Sequence, residues 1–273
     1  MKEEKSGELQ SDSENLPSVE SVEKAEETEK KGVIDFYQAG VLTDRYLDTV
    51  LADWKNTGIL LIQAPLLAFA AVAVFQNVSR VSGTLYFLMV ISIFWIGCMN
   101  ASREVVKERA LFLRERMFNL DVGAYLFSKI RVLLLLGVVQ VGIYSFIVAR
   151  AIDLRIPIGW VLVTLLLTMF CGTCLGLLIS ALVKRSDHAV GLVPLVIIPQ
   201  IVFSEFAIPK DQFKGWTEWV YLAMPMRWPL ETFVEFGETS TDVFRAVGHL
   251  LPLFGYGVLF LLIAYPILRV QKY

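Results

Sequence analysis

The sequence predicts an all-α integral membrane protein, and three observations lead to it. Of 273 residues, 55% are hydrophobic and 19% charged, too few charges to coat a soluble domain of that length, and mean hydropathy is +0.57. The apolar residues gather in runs of about 20, the helix length that crosses a bilayer core. Lys and Arg collect in alternate links between those runs, the bias that orients membrane helices.

Residues 1–33 read as a disordered tail. Ten acids against five lysines in 1–32, with almost no large apolar groups, cannot bury enough surface to offset ordering entropy. The tail lacks the apolar core of a signal peptide. Residues 34–56 alternate Tyr46, Leu47, Val50, Leu51 and Trp54 with Arg45, Asp48, Asp53 and Lys55. That pattern predicts a helix lying along the membrane surface. The six-span region, 57–273, follows.

Span 1 is expected over about Gly58–Gln76 with a kink at Pro65, and span 2 over Gly83–Ala101. A charged link, Ser102–Asp121, leads to span 3 over Tyr125–Ala149. Span 4 covers Ile158–Val183 and span 5 Ala189–Ile208, with Pro194 and Pro199 inside it. After a polar and aromatic stretch, span 6 covers Leu250–Leu268. The link between spans 2 and 3 and the start of span 3 carry Arg103, Lys107, Arg109, Arg114, Arg116, Lys129 and Arg131; Lys184, Arg185, Arg269 and Lys272 fall on the same side. Both termini are therefore expected in the cytoplasm, and the membrane is expected to be the plasma (bacterial inner) membrane.

Drawn as one helix at roughly 100° per residue, residues 103–120 place Val106, Ala110, Leu113, Met117 and Leu120 on a stripe flanked by Arg and Lys. Glu104, Glu108 and Glu115 share the opposite face. The stripe suits the acyl boundary, the cations suit headgroup phosphates, and the carboxylates form a ridge facing the cytoplasm. From amphipathicity alone the ridge is a solvated face or a docking surface.

At these residues the chain resembles a known family. Glu108-Arg109-Ala-Leu-Phe112-Leu-Arg114-Glu115-Arg116, followed by Gly123-Ala-Tyr125 and Lys129, is similar to the stretch after the second span in ABCG-type ABC exporter permeases. Their bacterial relatives, including those fused to forkhead-associated domains, resemble it most. Gly172-Thr-Cys-Leu-Gly176-Leu-Leu-Ile-Ser180 resembles the family's small-residue fourth span. Phe203-Ser204-Glu-Phe206-Ala-Ile-Pro209, then Trp216, Trp219, Tyr221, Pro225, Met226, Arg227, Trp228 and Glu231, resembles its external segment after the fifth. The resemblance implies a coupling helix in the link between spans 2 and 3. Glu104, Glu108, Arg109, Phe112, Arg114, Glu115 and Arg116 would then meet a nucleotide-binding subunit. It also implies a permease dimer, homo- or heteromeric, exporting substrate by alternating access. No G-x-x-x-x-G-K-[ST] phosphate loop occurs in this sequence. ATP and Mg2+ are thus expected on a separate ATPase subunit, with no cofactor on this chain; the alternative is that the chain is a fragment.

Other constellations keep two readings. Thr168, Gly172, Gly176 and Ser180 form a small-residue face for close helix packing, or are ordinary residues of a membrane helix. Cys171-Gly-Thr-Cys174 has redox or metal spacing but sits in an apolar run, where packing suffices. Glu205 lines an exit or reaches the interface. By family analogy Ile93, Phe94, Val196 and Gln200 line the translocation path. Gln63, Asn100, Gln140 and Gln200 either line a path or bond across helices. No metal site or nucleophile–base pair stands out: His188 and His249, the two histidines, fall at opposite sides. The apolar spans favour a lipid-like or amphipathic cargo, with lipids as neighbours and no nucleic-acid partner. A non-transporting membrane assembly or anchoring protein is the alternative, and an intramembrane enzyme a more distant one.

Overall fold

The computed structural model describes residues 35–77, 83–205, 207–208, 212–237 and 243–271, all helix, turn or loop. The acidic tail expected over 1–33 lies outside the described residues. Eleven helices are found among them: α1 Phe36–Ala52, α2 Trp54–Phe75, α3 Gly83–Ala101, α4 Glu104–Lys107, α5 Arg109–Arg116, α6 Val122–Ala151, α7 Ile158–Leu182, α8 Ser186–Val202, α9 Trp216–Leu222, α10 Arg227–Gly237 and α11 Val243–Val270.

Helix α1 begins at Asp35, whose carboxylate accepts from the Gln38 amide at 3.0 Å, a standard N-cap. It buries Ala39, Leu42, Thr43 and Tyr46 on one face, the 3–4 spacing of an amphipathic helix. Asp53 ends α1, its amide donating to the Thr49 carbonyl, and caps α2 by accepting from Asn56 at 3.3 Å. One acid thus makes the turn, and α2 starts four residues before the expected Gly58. Along α2, Ala64, Ala68 and Ala71 are fully buried, whereas Ile59, Ile62, Leu66, Phe69 and Val74 are exposed. A small inner face and a large apolar outer face suit a helix at the lipid boundary.

Helices α3 and α7 form the centre. A Cβ at Gly172 would lie 2.5 Å from the Phe94 carbonyl oxygen and one at Gly176 2.4 Å from that of Cys98; reciprocally, one at Gly97 would lie 2.7 Å from the Met169 carbonyl oxygen. Glycines on both helices therefore let the two backbones touch. Asn100 of α3 donates to Gln140 of α6 at 2.6 Å, and Gln140 donates to the Leu60 carbonyl of α2 at 2.8 Å. These two amides bond across helices.

Helix α6 starts at Asp121, which accepts from Gly123 and Ala124 at 3.2 and 2.8 Å. Its 30 residues span about 45 Å at 1.5 Å per residue, more than the ~30 Å bilayer core. Its first turns carry Tyr125 and Lys129. Helix α11, 28 residues, starts seven residues before the expected Leu250.

Among the described residues, five helical segments are long and apolar enough to cross a membrane: Trp54–Phe75, Gly83–Lys107, Val122–Ala151, Ile158–Leu182 and Phe244–Val270. The fifth expected span, Ala189–Ile208, is displaced. Its helix, α8, runs Ser186–Val202, 17 residues with Pro194 and Pro199 inside, and is shorter than those five. After Pro199 the chain leaves the helix in a turn, Phe203 donating to the Pro199 carbonyl at 2.8 Å.

Candidate functional site: the link between α3 and α6 and its anchors

The link between α3 and α6 departs from a single amphipathic helix. It breaks at Glu108 (φ −101, ψ 10) into α4 and α5. Because of that break the expected stripe is not one face: Val106 is buried, while Ala110 and Met117 are exposed. The carboxylate ridge also turns the other way. Glu104 is buried and accepts from the Tyr46 hydroxyl at 2.5 Å. Glu108 pairs with Lys129 at 2.6 Å, and Glu115 takes both arms of the Arg45 guanidinium at 2.5 and 3.1 Å. The reason is electrostatic. Lys129 is 1% exposed, and a buried ammonium needs a carboxylate beside it. Its Nζ also lies 3.4 Å from the centre of the Tyr46 ring, a cation–π contact. Burial, then the Glu104 charge, pushes the Tyr46 phenol well above its usual range. The Glu115 hydrogen bond raises Arg45 further.

Four residues missed by sequence reasoning complete this hub. Gln38 and Tyr46 of α1 are two. The Gln38 side chain accepts from the Asp121 amide at 2.7 Å and donates to the Asn119 carbonyl at 3.4 Å, clamping the turn where Asn119 takes a left-handed φ of 62°. From the sequence, Arg45 is a polar position of the surface helix and Lys129 a residue of the orienting charge bias and of the family-like motif; neither is expected as a partner of the carboxylates. A lysine inside the first turns of span 3, with Arg131 two residues on, was the available signal.

The remaining residues of the link point to the other spans. Ser180 Oγ accepts from the amides of Val105 and Val106, both at 3.0 Å, so this serine of α7 caps α4. Thr168 bonds within its own helix, to the Thr164 carbonyl at 2.8 Å. Phe112 is buried against Tyr125, ring centres 4.7 Å apart. Arg109 donates to the Val183 carbonyl at 2.9 Å. Arg116 donates to the carbonyls of Leu268 and Gln271 at 2.9 and 2.8 Å, and to that of Arg269. Of the seven residues expected on the coupling surface, Arg114 is exposed, while Glu104 and Phe112 are buried and the other four are partly covered. Lys107, Ala110, Met117 and Phe118 join Arg114 on the outer side, Phe118 at 79% exposure.

The expected path residues separate. Ile93 and Phe94 are fully enclosed in the bundle core, where the close glycine contact holds α3 against α7. Gln200 is buried and its amide donates within α8, to the Val196 carbonyl at 3.4 Å. Glu205 accepts from the Tyr221 hydroxyl. Beside it, Arg227 pairs with Glu231 at 2.7 Å and stacks on the Tyr221 and Trp228 rings at 4.9 and 5.0 Å. The crevice here, lined by Gln200, Phe203, Glu205, Tyr221 and Arg227 among others, has a cavity volume of about 10 Å³, room for about one water and far below a small-molecule pocket. The cysteines Cys98, Cys171 and Cys174 are free and buried. No group of three or more His, Cys, Asp or Glu among the described residues is placed to hold a metal.

Fold and site together define a multi-span helical membrane protein whose link between α3 and α6 is anchored to four other helices. Residues 37–236 match the model of the ABC-2 type transporter membrane family, and the chain belongs to that family. It is 30% identical over 135 residues to the ABC transporter ATP-binding/permease protein Rv1747 of Mycobacterium tuberculosis, covering 46% of this chain and 16% of that one. It is 26% identical over 211 residues to ABC transporter G family member 30 of Arabidopsis thaliana, covering 71% and 15%. It is 31% identical over 160 residues to ABC transporter G family member 45 of rice, Oryza sativa subsp. japonica, covering 56% and 12%. The matched region thus spans about a sixth of these relatives' length or less. The chain is an ABCG-like membrane domain of the ABC transporter permease type.

Proposed function

We propose that this chain is the membrane subunit of an ATP-driven exporter, moving a lipid-like or amphipathic substrate by alternating access while a separate subunit binds ATP and Mg2+. It works as a dimer in the plasma (bacterial inner) membrane, with six spans and both termini cytoplasmic. The observation that carries the proposal is the two-sidedness of α5. Its inner face is fixed to α1, α6, α7 and α11, its outer side presents Ala110 and Arg114, and Met117 and Phe118 are exposed in the turn that follows it. A helix anchored on one side and bearing an apolar, basic outer edge suits transmission of force from a soluble subunit. Arg114, already in the expected coupling set, and Phe118 are the docking contacts this reading favours, while the carboxylates are engaged by Tyr46, Lys129 and Arg45.

The test is association. A phosphate-loop ATPase encoded beside this chain should bind it in detergent. Phe118→Asp combined with Arg114→Glu should weaken binding at least tenfold, a loss on the order of 1.4 kcal/mol or more, without altering folding of this chain. Unchanged affinity in that variant contradicts the proposal.

A further inference from the structure

Arg109 and Arg116 occupy one face of α5. They are seven residues apart, roughly 700° or two turns less 20°, with Phe112 between them on the same side. Each ends on the open carbonyls of a different long helix. Arg109 reaches Val183, the C-cap of α7, at 2.9 Å. Arg116 reaches Leu268, Arg269 and Gln271 at the end of α11, 152 to 155 residues further along the chain. Gln271 then donates to the Ala181 carbonyl at 2.7 Å, joining the two helix ends to each other. Ser180 closes the loop by capping α4 at 3.0 Å.

The last four carbonyls of any helix lack partners inside it, and the C-terminal end carries partial negative charge. At the end of a membrane helix, water ordinarily satisfies those groups. Here a neighbouring element supplies charged donors instead. The choice of arginine fits, because a planar guanidinium with five donors can hold several carbonyls in fixed geometry, whereas a lysine offers a point charge on a flexible stem. Eight residues of α5, about 12 Å at 1.5 Å per residue, thus form a crossbar with one helix end tied at each extremity.

From this wiring we infer that Arg109 and Arg116 are positioning residues that carry displacement of α5 to the cytoplasmic ends of α7 and α11. Neither is a contact for the ATPase subunit. The inference rests on the proposed function for what moves α5, while the wiring itself stands on the bonds above.

Hydrogen exchange read by mass spectrometry tests it. In the chain without nucleotide, Arg116→Gln should raise exchange in 264–271 at least tenfold and leave 158–170 unchanged; Arg116→Lys should fall between. In the complex with the ATPase subunit, ATP plus vanadate should alter exchange in both 109–116 and 264–271 of the wild type. In Arg116→Gln the response at 109–116 should persist and the response at 264–271 should shrink at least fivefold. A full response at 264–271 in that variant, or an unchanged end of α11 without nucleotide, overturns the inference. A wild type with no nucleotide response at 109–116 counts against the proposed driver instead, and the nucleotide-free comparison still decides the wiring.

Discussion

Lys129 shows how one residue organises its surroundings. An ammonium enclosed at the base of α6 would be costly alone, so Glu108 approaches to 2.6 Å and the Tyr46 ring covers it. Holding Glu108 there coincides with the break between α4 and α5, and Glu104 and Glu115 follow it inward to Tyr46 and Arg45. Removing one partner strands the other. Glu108→Ala should destabilise the protein by about 3–5 kcal/mol, whereas Glu108→Leu with Lys129→Met should cost much less, since a buried ion pair replaced by apolar groups is often neutral. Unfolding in mixed micelles compares the two, and equal losses would show that the pair acts independently. The charges themselves were legible in the sequence, including a lysine in the first turns of span 3. Their direction was not, because the partners Arg45 and Tyr46 lie about 60 to 70 residues away and no local periodicity encodes that distance.

At the scale of elements, long apolar helices were easy to read and their ends were not. The residues that move the ends are caps: Asp53 starts α2 early, Asp121 starts α6 early, and Pro199 with its turn stops α8 early. Caps act through single hydrogen bonds, which a hydropathy window does not see. The small-residue face of span 4 was visible as spacing, but two readings fitted it until α3 was laid against it. Packing now separates the glycines. Gly176→Ala places a methyl 2.4 Å from the backbone oxygen of Cys98, which cannot rotate away, so about 1–3 kcal/mol should be lost. Gly142→Ala meets nothing within 4 Å, and alanine is the better helix former by roughly 1 kcal/mol, so that variant should be as stable as the wild type. Thermal unfolding in detergent reads both. A tolerated Gly176→Ala would mean that α3 and α7 do not touch as described.

For the whole molecule, the central pair α3 and α7 is closely packed, and the link between α3 and α6 is fastened around it to α1, α6, α7 and α11. Under the proposed function, movement at α5 would reach several helices at once. The amphipathic composition of 103–120 was enough to single out this link. Which of its residues face outward depended on the break at Glu108, and so Arg114 and Phe118 replace the acidic ridge as the outer surface. The most direct measurement is ATP turnover in lipid vesicles holding the adjacent ATPase subunit with and without this chain. The account predicts that the wild-type chain raises turnover several-fold, and that Phe118→Asp with Arg114→Glu returns it to the level of the ATPase subunit alone. Turnover unaffected by the wild-type chain, or fully retained in the variant, would contradict it.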